Sequence, residues 1–388
     1  MPHALVESFE IPKAPFVLEG VEFEFISLPY KNCGVVGVKI DNHNFLLKYI
    51  QNENKTLIKY DKATRIPKLN IIKRAINSFC NAANSKKLHS NTVITRKDPE
   101  YKNYKNIDFF LEEFNFDKEI WIEIGFGSGR HMLHNAKNNP SVVHIGLEIH
   151  KASAEQVLKQ CMLQNIDNVY INDSDARMFL EMLPANSVSK IFIHFPVPWD
   201  KAPHRRVISK NFINEAVTVL KEGGRLELRT DSKGYADYTY SILMDLDFCE
   251  LSAKKNHFIE VSSKYEDRWK KEEKDFYDLV FINHKSSDEK EIIKDFSFSG
   301  YINYEDFLKN AKEHVEPEDG FFVSAKEKYP LNAKDGLVKV TMGTFNSPQS
   351  LYLLFKDGKI SYYPKAPYPT KANFLAHKKL EAIIGKNI

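Results

Sequence analysis

The sequence predicts an α/β fold: a mostly parallel sheet covered by helices, with β-rich extensions before and after it. Three observations carry this. Between about 106 and 285, short apolar strands alternate with helix-length stretches, the pattern of a parallel sheet covered on both faces. One of those strands runs into glycines at 125, 127 and 129, and glycine lets backbone approach a ligand closely. Outside that region, apolar and polar residues alternate and turn residues punctuate them, as in antiparallel strands.

The 388 residues allow two or three domains. The textures place them at 1–105, 106–285 and 286–388. Composition is that of a globular protein, 43% hydrophobic and 28% charged, with 18 Tyr and 27 Phe to fill cores. Net charge is only +3, so any nucleic-acid site has to come from local clustering. The four cysteines, Cys33, Cys80, Cys161 and Cys249, lack metal-ligand spacing and read as inert thiols. The first residues lack a signal-peptide pattern, and no apolar run approaches the roughly 20 residues that span a bilayer. A cytoplasmic protein without membrane contact is expected, and the sequence leaves monomer and homodimer open.

From about 15 to 60 the alternation of Val21-Glu22-Phe23-Glu24-Phe25 and Val35 to Ile40 predicts strands with short turns. Residues 62–105 carry 11 Lys and Arg against 2 Asp and Glu. A short basic helix is expected there over Lys68–Cys80, and the run reads either as a solvated face or as an arm for phosphates. In the central region the expected strands are Ile120–Ile124, Val142–Leu147, Val169–Ile171, Ile191–Phe195 and Arg225–Arg229. Ala152–Gln164 and Asn211–Leu220 are helix-like, and Phe276–Asn283 suits an antiparallel edge strand. After 286, Gly336–Met342, Leu351–Phe355 and Ile360–Tyr363 read as strands, with a hairpin signal at Asp357-Gly358. The two ends form either two small modules or one split module.

Residues 121–129 read Trp-Ile-Glu-Ile-Gly-Phe-Gly-Ser-Gly, with a helix expected from about Arg130. Glycine turns at strand ends of α/β sheets hold nucleotide-like ligands. The dinucleotide fingerprint is G-x-G-x-x-G; here Gly125, Gly127 and Gly129 are spaced G-x-G-x-G, and Glu123 precedes them. A pyrophosphate would be repelled by that carboxylate, whereas the amino group and sulfonium of S-adenosylmethionine (SAM) would be attracted. Glu148 ends the next strand, placed to accept from ribose hydroxyls. Asp175 follows the third, where an acid can reach the adenine amino group. Each acid alone reads as a cap or turn residue; the three at successive strand ends point to SAM. The fourth strand runs into Phe-Pro-Val-Pro-Trp-Asp-Lys at 195–201, a stiff turn at the same sheet edge. Trp199, Lys201, His204, Arg205 and Arg206 mix aromatic and basic character, which suits nucleic acid. A solvated basic loop is the plainer alternative.

These motifs resemble the bacterial tRNA (guanine-N7)-methyltransferases over about 106–285. The likeness rests on E-I-G-F-G-S-G at 123–129, I-G-L-E-I-H at 145–150, D-A at 175–176 and F-P-V-P-W-D-K at 195–201. It continues in L-K-E-G-G-R-L and R-T-D within 220–231 and S-K-Y-E at 263–266. It implies a class I SAM-dependent methyltransferase fold, Rossmann-like, with an antiparallel edge strand. It implies methylation of N7 of guanine 46 in the tRNA variable loop. By the resemblance Glu123, Glu148 and Asp175 contact SAM, and Lys201, Asp231 and the Ser263–Glu266 segment contact tRNA. The family usually has an acid where this chain has Val197, and the basic stretch that follows is shortened. Guanine N7 carries an in-plane lone pair and no proton, so no general base is required. Asp231 and Glu266 are then the residues expected to hold the base. The alternatives are a methyltransferase acting on another RNA, a protein or a small molecule, a non-catalytic RNA-binding relative, and a nicotinamide oxidoreductase, which the glycine spacing disfavours.

Overall fold

The computed structural model describes residues 1–385, apart from 8, 65–67, 96–98, 113, 115–116, 258–273, 312–313 and 317–318. The chain forms two units, Glu100–Ile292 and a second made from Met1–Pro99 together with Ile293–Ile388.

The second unit begins with β1 (His3–Glu7), β2 (Phe16–Leu18), β3 (Val21–Ile26), β4 (Cys33–Ile40), β5 (His43–Asn52), β6 (Lys55–Tyr60) and β7 (Lys87–Ser90). They form one antiparallel sheet in the order β2-β3-β4-β5-β6-β1-β7. The turns Glu19-Gly20 and Asp41-Asn42 have positive φ at both residues, the geometry that matches hairpin twist. Helix α1 (Leu69–Ala82) covers one face, packing Ile72, Ile76 and Phe79 against Phe23, Val38 and Phe45.

The central unit has helix α2 (Ile107–Glu112) and then alternating elements: β8 (Ile120–Ile124), α3 (Arg130–Asn138), β9 (Val143–Leu147), α4 (Lys151–Leu163), β10 (Val169–Asn172), α5 (Ala176–Glu181), β11 (Val188–His194), α6 (Lys210–Val219), β12 (Leu220–Thr230), α7 (Lys233–Met244), β13 (Glu250–Lys255) and β14 (Tyr277–Ile282). The order is β10-β9-β8-β11-β12-β14-β13. Strands β8 to β12 are parallel, β14 is antiparallel to β12, and β13 to β14. This is the class I SAM-dependent methyltransferase arrangement. Every residue of β8 and β9 is buried, because helices cover both faces of a parallel sheet. The strand order reverses beside β8, between β9 and β11, and such switch points hold ligands at the carboxyl ends of the strands.

One expectation is corrected. Tyr277–Ile282 is antiparallel but not the edge; Glu250–Lys255 lies outside it. That strand is Glu-Leu-Ser-Ala-Lys-Lys and mostly exposed, so it carries no apolar periodicity. The opposite edge, β10, is covered by the segment before α2: Ile171 N–H donates to Asn103 O at 2.8 Å and Lys105 N–H to Ile171 O at 3.0 Å.

The C-terminal residues form β15 (His314–Glu316), β16 (Phe321–Pro330), β17 (Gly336–Thr344), β18 (Ser347–Lys356) and β19 (Lys359–Tyr363), paired in sequence order and antiparallel. Helices Tyr304–Asn310 and Lys371–Gly385 pack on this sheet through Phe307, Ala376, Leu380 and Ile384. Phe25, Val35 and Leu46 of the N-terminal sheet share a core with Tyr329, Leu337, Tyr352 and Tyr363. Polar bonds join the same ends. Tyr352 Oη donates to Asp61 Oδ2 at 2.6 Å, and Tyr363 Oη to Glu24 Oε2 at 2.9 Å. Of the two arrangements left open for the ends, at 1–105 and 286–388, one split unit is the one formed, and the central unit runs wider than 106–285. Each sheet keeps a second apolar face that the other end of the chain covers. Among the described residues no helix is long and apolar enough to cross a membrane.

Candidate active site

Strands β8 to β12 run parallel, so the residues that follow them gather at one sheet edge. Glu123 is near the end of β8 and only 5% exposed. The turn after it has φ of +66° at Gly125, +51° at Gly127 and +67° at Gly129, a region L side chains rarely adopt. Beyond that, the glycines differ. A Cβ at Gly129 would lie 2.5 Å from Val157 Cγ2, so there the chain also needs close packing onto α4. A Cβ at Gly125 would meet nothing within 4 Å, which leaves open space over that backbone.

Glu148 follows β9 directly. Its carboxylate accepts from Gly127 N–H at 3.0 Å and from His150 N–H at 2.9 Å, tying the glycine turn to the neighbouring strand end. Asp175 follows β10 as the N-cap of α5, accepting from Arg177 N–H at 3.0 Å. It also takes Arg177 Nε at 2.9 Å and Nη2 at 2.6 Å. The cap reading of this acid is therefore realised, with Arg177 as an added partner that sequence spacing did not single out.

Beyond β11 the turn is held tightly. Phe195 and Trp199 have φ of +50° and +47°, uncommon for bulky side chains and typical of turns fixed by their surroundings. Phe195 N–H donates to Arg229 O at 2.7 Å. Arg206 is buried, donates from Nε to Pro198 O at 2.7 Å, and lies over the rings of Tyr235 and Tyr238. It therefore braces the turn. Arg205 sits 5.1 Å from the Trp199 ring centroid, and Lys201 and His204 are exposed. Val197, at the position where the resemblance leads one to expect an acid, is 60% exposed and presents a bare apolar side chain.

Asp231 follows β12, with Lys274 Nζ 3.5 Å from its Oδ2. Ser263 and Glu266 lie outside the described residues. Two histidines escaped the sequence reading. His131, in the first turn of α3, places Nδ1 2.7 Å from Glu123 Oε2, and its ring is 4.4 Å from that of His194 at the end of β11. Burial holds His194 well below the usual histidine range, with His131 and Arg229 acting in the same direction. Burial likewise brings His144 down to about 4. The only advance signal was that first-turn residues of a helix after a strand face the strand end.

The donor set fits SAM. Open glycine backbone at Gly125 leaves room for a ligand, and two carboxylates, Glu123 and Glu148, flank it where a cationic ligand carrying ribose hydroxyls needs acceptors. Among the described residues no cluster has the make-up of a metal site.

Known proteins agree with this geometry. The family model described as "Putative methyltransferase" matches residues 117–279. A tRNA (guanine-N(7)-)-methyltransferase of Wolinella succinogenes is 39% identical over 98% of this chain and 99% of its own length. Those of Campylobacter fetus subsp. fetus and Helicobacter hepaticus are 35% and 33% identical, over 98% and 99% of this chain and the same shares of theirs. The likeness takes in the split unit as well as the central one, and the chain belongs to the tRNA (guanine-N(7)-)-methyltransferase family.

Proposed function

We propose that this chain methylates N7 of guanine 46 in the variable loop of tRNA, with SAM as cofactor. The observation that carries the reading is the glycine turn bound to Glu148 beside Glu123 at the switch point of a class I sheet, in a chain matched end to end by relatives of that name. SAM supplies an activated methyl group.

The chain's own residues orient, charge and shield. Glu123 and Glu148 meet the cation and the ribose hydroxyls. The braced 195–201 turn offers Trp199 and Lys201 to the nucleotide, with Arg206 holding the backbone. Asp231 accepts from guanine N1–H and the 2-amino group, a charge-assisted pair that fixes the base edge, and Glu266 shares that work. N7 needs no proton removed, so Val197 does not cost the reaction a base; the loss falls on orientation, which dominates a direct displacement. The split unit has 29 Lys and Arg against 20 Asp and Glu, whereas the central unit has 26 against 32. We assign most phosphate contacts to the split unit on that balance.

Purified protein, SAM and unmodified tRNA should yield 7-methylguanosine by nucleoside mass spectrometry. Tight SAM binding without product would overturn the enzymatic reading. Asp231→Ala should lower kcat at least tenfold and leave SAM affinity within about twofold.

A further inference from the structure

Glu123 is a buried carboxylate, and burying a charge is costly unless it is hydrogen-bonded. The group that reaches it is His131, whose Nδ1 is 2.7 Å from Oε2. Asn135, one turn further along α3, places Nδ2 3.1 Å from His131 Nε2 and 3.4 Å from Nδ1. A carboxylate only accepts, so the ring meets Glu123 with its Nδ1–H. The imidazole packs against Phe192 at 4.9 Å and His194 at 4.4 Å between ring centroids. Held this way, the imidazole fixes the orientation of the Glu123 carboxylate near the end of β8.

We propose that His131 is a positioning residue for the cofactor, acting through Glu123 by holding the carboxylate in the orientation that meets the positive charge of SAM. This rests on the SAM reading above. The site couples the first turn of α3 to the strand that ends in the Phe195–Lys201 turn, because His194 closes that strand.

The test is SAM binding by calorimetry, with steady-state kinetics, on the full chain. His131→Phe keeps a ring against Phe192 and His194 and removes the donor; a buried carboxylate stripped of its partner should bind SAM about tenfold more weakly. KM for SAM should rise by a similar factor, with kcat at saturating SAM within about threefold. His131→Asn carries an amide N–H close to the Nδ1 position and should stay within about threefold of the native affinity. In a double-mutant cycle, Glu123→Gln with His131→Phe should bind no more weakly than Glu123→Gln alone. If His131→Asn is as impaired as His131→Phe, or if the cycle is additive, the role is packing and the proposal falls. If Glu123→Gln binds SAM normally, it is the assignment of Glu123 to the cofactor that falls, a result distinct from the first.

Discussion

The two units solve opposite problems with opposite charge. The central unit carries the glycine turn, the acids proposed for the cofactor and a balance of −6; the split unit carries none of these and a balance of +9. An enzyme acting on a polyanion with a cation as cofactor needs both signs, and mixing them in one cleft would let each screen the other. On the assignment proposed above, separation leaves the acids near β8 to SAM and the lysines of the split unit to phosphate. The overall +3 conceals this division entirely.

Several experiments would break or sharpen the contrast. The largest effect is expected at Gly129, where left-handed backbone and a Cβ contact of 2.5 Å with Val157 coincide. Gly129→Ala should destabilise the central unit by about 2–4 kcal/mol in urea unfolding; a loss under 1 kcal/mol would mean that α4 yields freely. Next is the seam of the split unit. Tyr352→Phe removes the donor to buried Asp61 and should cost about 1–3 kcal/mol, leaving SAM affinity unchanged. A matching loss of SAM binding would show that the units are not energetically separate.

Lys31, Lys55, Lys334, Lys356 and Lys359 are exposed and carry no ion pair among the described residues. Changing all five to Gln should weaken tRNA binding about tenfold at physiological salt and flatten its salt dependence. An unchanged salt slope would return the phosphate contacts to the central unit. The smallest effect concerns acid. Burial raises the Glu327 carboxyl, but bonds from Tyr329 and Lys48 outweigh it and bring it down to about 2. A depressed carboxyl stabilises the fold above its unfolded value, and that contribution fades as pH falls through about 2. With the carboxylate 44% exposed, solvent screening keeps it under about 1 kcal/mol. Lys48→Met should flatten the acid limb of thermal stability between pH 4 and 2.

The central sheet was legible because interior parallel strands are continuous apolar runs: Ile120–Ile124 falls where the periodicity puts it, and β9 to β11 begin within about three residues of expectation. The antiparallel hairpin at the far edge was half legible, since β14 is apolar and β13 is not. The union of the two ends was one of two readings the sequence could not choose between. It rests on tyrosine–carboxylate bonds such as Tyr352–Asp61, 291 residues apart, and no local pattern encodes a partner at that distance. At the site, glycine spacing and the acids after each strand were readable because they reflect backbone geometry. The His131–Glu123 pair depends on how a helix is rotated after a turn, and Arg206 on where a loop folds back; neither follows from residue type.

The split unit also sets an order of assembly. Its N-terminal sheet is made before the central unit, yet the Phe25, Val35 and Leu46 face waits for Tyr329, Leu337 and Tyr352, after the intervening 193 residues from Glu100 to Ile292 have been made. The central unit can fold on its own contacts during that interval, while the half-built β module keeps an apolar face open. The positively charged module is therefore completed only after the central unit has been made. A chain broken off early would present the central unit without the surface proposed above to recruit substrate, with an unfinished sheet for quality control to recognise.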